Sequence, residues 1–148
     1  MRGLNTTFVY SLIVLSGCSQ SGDKWKSSRP KTVLASGVIT LSGKPLDGAQ
    51  VVLVPTSGGH GGSALSAADG SFRLATFPPD EGAVPGSYKV MIIKSVVPQN
   101  PDPGSPESTV PQYAKLLIPE KYTDPETSGV TIEIPVTGTK DIRIDLNE

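Results

Sequence analysis

The chain has one cysteine, one histidine, one tryptophan and only 5% aromatic residues among its 148 positions. A single cysteine, Cys18, excludes an internal disulfide, so the folded part must rest on its apolar core alone. A single histidine, His60, leaves no Cys/His ligand set and allows a Ser-His-Asp triad only through that one residue. Net charge is low as well, with 13 basic against 14 acidic side chains, which gives no footprint for a polyanion such as nucleic acid. No apolar run approaches the ~20 residues that cross a bilayer, and long helix-forming stretches are scarce. In contrast, 16 glycines and 14 prolines punctuate the chain, which predicts many turns and short strands.

The apolar run that does exist lies at the extreme N-terminus. Arg2 is followed by Phe8, Val9, Tyr10, Leu12, Ile13, Val14 and Leu15, then by small residues, the order of a short secretory leader. It closes on Leu15-Ser16-Gly17-Cys18, which resembles a bacterial lipobox. That resemblance implies cleavage before Cys18, a diacylglyceryl group on its sulfur and acylation of the new N-terminus. Two or more acyl chains, each contributing about 0.8 kcal/mol per buried CH₂, hold a protein stably at a membrane. An unpaired cysteine in a secreted protein is otherwise unusual, because oxidising compartments favour paired ones. Removing residues 1–17 takes away Arg2 and leaves 12 basic against 14 acidic side chains, a charge of −2. Ser19 after the cysteine, rather than an aspartate, resembles the sorting pattern for the outer membrane. The expected address is therefore the bacterial cell envelope, facing periplasm or exterior. The Asn5-Thr6-Thr7 sequon falls in the leader and carries no meaning there.

Residues 18–34 are polar and aperiodic and read as the lipidated cysteine and a flexible tether; Trp25 between two lysines is either a stray ring in it or a contact with the membrane interface. From residue 35 to 148 short apolar runs recur between turn signals. Strands are expected at 37–41 and 49–55, with Pro55 closing the second where a lost N–H does least harm. A weaker run at 63–67 and the alternating segment 71–75, joined by Asp69-Gly70, read as a hairpin. Residues 87–97 carry apolar side chains on much of both faces, as a central strand does. The five-proline stretch 98–111 reads as an exposed loop, and 113–118 as a helical turn or a strand. Asp124-Pro125-Glu126 has the form of a capped one-turn helix or type I turn. Alternation at Val130, Ile132 and Ile134 and at Ile142, Ile144 and Leu146 predicts two half-buried strands. About seven short strands in one domain suggest an all-β, two-sheet sandwich.

The order Gly37-Val-Ile, Gly43-Lys-Pro-Leu-Asp-Gly-Ala-Gln-Val-Val-Leu-Val-Pro, Ala68-Asp-Gly-Ser-Phe-Arg-Leu and Pro85-Gly-Ser-Tyr-Lys-Val resembles the carboxypeptidase regulatory-like, or transthyretin-like, domain. Residues 117–131 resemble the C-terminal part of small bacterial lipoproteins built on it. The resemblance implies a seven-stranded transthyretin-like or immunoglobulin-like sandwich and an accessory, non-catalytic role. Hydroxyisourate hydrolases of related fold end in Tyr-Arg-Gly-Ser, whereas this chain ends Asp145-Leu146-Asn147-Glu148. The leading expectation is a membrane-anchored binding or structural module with no cofactor, whose partner is an envelope protein or polysaccharide. A second is a carbohydrate or cell-wall reader using Tyr113, Tyr122 and the loops near His60, since aromatic rings stack on sugar faces. A small hydrolase is a remote third.

Other motifs carry less. The glycines around His60 match neither GxGxxG nor GxxxxGK[ST], and strand rather than helix follows them. Asp69-Gly70 lacks the spacing of a calcium loop and reads as a turn. No serine lies in GxSxG. The asparagines Asn100 and Asn147 are not placed opposite a strand lysine, as an isopeptide crosslink would require.

Overall fold

The computed structural model describes residues 28–96 and 114–148. Cys18, Trp25, Asn100, Tyr113 and the stretch 98–111 lie outside them. Among the described residues the chain is all-β: ten strands and one 3-10 turn, Glu120–Thr123. The strands are β1 (Ala35–Leu41), β2 (Lys44–Pro45), β3 (Gln50–Pro55), β4 (Gly62–Leu65), β5 (Ser71–Arg73), β6 (Gly86–Ile93), β7 (Ser95–Val96), β8 (Lys115–Leu116), β9 (Thr131–Ile134) and β10 (Thr139–Leu146).

Two four-stranded sheets make the body. In the first, β1 is central, with β10 parallel to it on one edge and β5 and β2 antiparallel along the other. The β1–β2 link is a two-residue turn, Ser42-Gly43, with φ of 49° and 77°. Positive φ at both positions matches the right-handed twist of the flanking strands, and the glycine adopts it without a Cβ penalty. The second sheet runs β4-β3-β6-β9, antiparallel throughout. A third, two-stranded sheet pairs β7 with β8.

Period-2 alternation decides which side chains go inward. In β10, Ile142, Ile144 and Leu146 are buried while Asp141, Arg143 and Asp145 are exposed. In β6, Tyr88, Val90 and Ile92 are buried. Both sheets contribute to one core cluster, Ile39, Phe72, Ile144 and Leu146 from the first and Val51, Leu53, Val90 and Ile92 from the second. Burying one such aliphatic side chain contributes about 1.5–3 kcal/mol.

Several sequence expectations hold. Strand β6 is interior, between β3 and β9, as its two-sided apolar pattern predicts. The segment after Thr123 forms a capped turn: Asp124 Oδ1 accepts from the Glu126 N–H at 2.7 Å, and the Asp124 carbonyl accepts from the Ser128 N–H at 2.9 Å. Others are corrected. Residues 63–67 and 71–75 do not form an ordinary hairpin, because β4 pairs with β3 and β5 with β1, in different sheets. The Ala67 N–H still reaches the Ser71 carbonyl at 2.8 Å, and a bridge joins Ser63 to Ala75. The turn therefore hands the chain from one sheet to the other. The segment expected as one strand from 87 to 97 breaks at Lys94, beyond which β7 joins a separate sheet.

The stretch read as tether ends on the domain. Val33 exchanges two backbone hydrogen bonds of 2.9 Å with Ala83 and packs against the core.

Candidate functional site

The glycine-rich β3–β4 loop carries His60 to one end of the body. There it meets the crossing between β5 and β6, where Phe77-Pro78-Pro79-Asp80 makes a tight turn with a cis Pro78-Pro79 bond and a 3.0 Å hydrogen bond from the Asp80 N–H to the Phe77 carbonyl. A cis proline at the third position is the defining feature of a type VI turn. The turn presents the Phe77 ring, and two side chains gather on it. The His60 ring lies edge-on, with centroids 5.3 Å apart and planes at 64°. The Arg29 guanidinium sits over the ring at 5.0 Å and reaches Asp80 at 3.7 Å. A cation over an aromatic face and an edge-to-face ring pair are each worth about 0.5–1.5 kcal/mol.

This cluster borders a cleft of ≈ 450 Å³ lined by Arg29, Pro55, His60, Pro85 and Tyr88 among others. Tyr88 is its buried wall. The Tyr88 hydroxyl donates to the Val84 carbonyl at 2.6 Å, and the His60 carbonyl lies 3.3 Å from the same oxygen. Burial raises the Tyr88 pKa above its ordinary value, since the phenolate is disfavoured away from water. The cleft thus offers a guanidinium, an imidazole and apolar ring surface, groups suited to holding a ligand. Phe77 is what the His60 ring packs on, and no cluster of three or more His, Cys, Asp or Glu side chains occurs among the described residues.

No known protein family, curated protein or solved structure matches the chain. Its function must therefore be argued from its own residues.

Of the candidate site residues singled out from the sequence, His60 lies at this cleft and Tyr122 does not, while Cys18 and Tyr113 fall outside the described residues. Tyr122 is 6% exposed. Its hydroxyl accepts from the Asn147 N–H at 3.0 Å and lies 3.2 Å from the Asn147 carbonyl, and Lys121 Nζ covers the ring at 4.8 Å. Such a ring ties the C-terminus to the core and has no open face for a sugar, which corrects its assignment to a carbohydrate surface. Asp69 is a turn residue, as expected: its Oδ1 accepts from the Ser71 N–H at 2.9 Å. Hydrogen bonds from Ser71 hold its carboxyl below the usual range.

Sequence reasoning missed Arg29, Phe77 and Asp80. The signal available was an aromatic residue ahead of Pro-Pro-Asp, which marks a turn that displays a ring. Arg29 lay in a stretch read as tether, and only the tertiary contact reveals its role.

Proposed function

We propose that this chain is a lipoprotein of a bacterial cell envelope, anchored through Cys18, whose domain is a non-catalytic binding or structural module of the seven-stranded transthyretin-like kind. The observation that carries this reading is the position of the core. Among the described residues, which begin at Ser28, every member of the core cluster and of its packed rim lies at Val33 or later. Cleavage before Cys18 would therefore remove none of these residues, and residues 19–27 could set the domain up to about 31 Å from the lipid at ~3.4 Å per residue.

Two further features support the fold assignment. Seven strands have three or more residues, divided between two sheets, and the first and last of them run parallel side by side. The turns that carry the family resemblance fall where the chain changes strand or sheet: GKPLDGA between β1 and β3, ADGS between β4 and β5, PG at the start of β6. The concave surface such a module would present to an envelope protein or polysaccharide is the cleft beside His60. Ser19 leans the address toward the outer membrane.

The test is Cys18→Ser in the chain with its leader, with fractionation and incorporation of labelled fatty acid. The expected result is release into the aqueous fraction and loss of label. Unchanged membrane partitioning of the variant would refute an anchor at this site.

A further inference from the structure

Among the described residues no strand lies along the outer edge of β10, which hydrogen-bonds β1 on its other side; just past its end the Tyr122 hydroxyl holds the backbone of Asn147. The direction of its backbone groups follows from two contacts. The Leu146 carbonyl accepts from the Ser42 N–H at 2.8 Å, on the β1 side, and Leu146 pairs with Leu41. Backbone groups alternate along a strand. Ile142, Ile144 and Leu146 therefore address β1, while Arg143 and Asp145 point their N–H and C=O groups outward.

Charge on this edge is arranged to match itself. Arg143 is exposed and forms no ion pair among the described residues. Asp145 uses Oδ1 to accept from the Thr40 hydroxyl at 2.7 Å, and its second oxygen has no hydrogen bond among the described residues. We infer that β10 pairs antiparallel with β10 of a second copy about a twofold axis at Ile144, setting Arg143 of each copy opposite Asp145 of the other.

Both requirements of an antiparallel ladder select this register. Residues that exchange hydrogen bonds must both point outward, and Arg143 and Asp145 do. An axis at Arg143 instead would oppose Arg143 to itself and Asp141 to Asp145, like charges throughout. An axis at Ile142 would use Asp141, which lies where the β1–β10 register shifts between the Ala35 and Gly37 pairs. The twofold closes the assembly, since each copy spends its one bare β10 edge. Pairing at an edge alone buries less than the ~1,200 Å² of a standard interface, so the dimer is weak and reversible.

The test is sedimentation of the whole chain in detergent micelles across a wide concentration range, with thermal unfolding as a check on each variant's fold. Wild type is expected to show a reversible monomer–dimer equilibrium. Arg143→Asp and Asp145→Arg each create two like-charge pairs and raise the dissociation constant about tenfold or more. An equimolar mixture of these two variants dimerises again, because two acidic side chains of one chain meet two basic ones of the other. Should Asp145→Arg fail to fold for want of the Thr40 bond, Asp145→Asn keeps an acceptor there and weakens dimerisation with an intact fold. A chain that stays monomeric at every concentration, a dimer indifferent to both reversals, or a mixture no better than its components overturns the proposal. Membrane release by Cys18→Ser is read separately, so the anchor and the dimer fail independently.

Discussion

Ser66 shows how one polar side chain can tie two parts of a fold. It is 3% exposed, and its Oγ accepts from the Ala49 N–H at 2.8 Å while donating to the Leu46 carbonyl at 2.6 Å. The turn between β2 and β3 is thereby fastened to the end of β4. Removing the hydroxyl leaves a buried donor and acceptor without partners, which costs about 1–3 kcal/mol. Ser66→Ala should lower the urea midpoint accordingly with an unchanged slope, and no shift in the midpoint would show that water replaces the hydroxyl. The sequence marks Ser66 only as one of many serines in a weak apolar run. Its role depends on Leu46 and Ala49, 20 and 17 residues away, arriving on either side of it.

At the scale of elements, the parallel contact of β1 with β10 is the least local feature of the fold and the most constrained. A Cβ on Gly37 would lie 2.1 Å from the Ile142 carbonyl oxygen, so the two backbones approach where only glycine fits. Gly37→Ala must push β10 away along the stretch that places Ile142, Ile144 and Leu146 in the core. Overpacking of this kind costs about 1–3 kcal/mol or more, and thermal unfolding should report a clear drop; an unchanged midpoint would mean the strands separate without cost. Alternation in β10 was legible in the chain, because the period is local. Its pairing with β1, a hundred residues away, was not. The same contrast explains the turn at Asp69-Gly70: its chemistry identified a reversal but could not say that the flanking strands belong to different sheets. That choice is made by which apolar faces find each other.

For the molecule as a whole, Tyr88 and Asp69 each tie folding stability to pH. Burial raises the Tyr88 pKa above the ordinary 10.0. Above that value the unfolded chain loses the phenolic proton while the folded one keeps it, so folding stability is full below about pH 10 and falls as pH rises toward the folded pKa. Asp69 works in the opposite sense, because Ser71 lowers its pKa from 3.8: its contribution is present above that value and fades as pH falls through the folded pKa. Chemical denaturation across pH should show the alkaline decline, and Tyr88→Phe should flatten it while losing the hydrogen bond to Val84. An alkaline decline of the same depth in Tyr88→Phe would assign it to other groups.

The sequence by itself determined the all-β class, the inward and outward faces of β6 and β10, and the places where the chain turns. Each of these rests on neighbours within a few residues. Tertiary structure alone decided which strands share a sheet, that Tyr122 is an internal brace, that Arg29 and His60 meet over Phe77, and that among the described residues no strand covers the outer edge of β10. Those outcomes depend on the fit of apolar surfaces distant along the chain, and local periodicity carries no record of that fit.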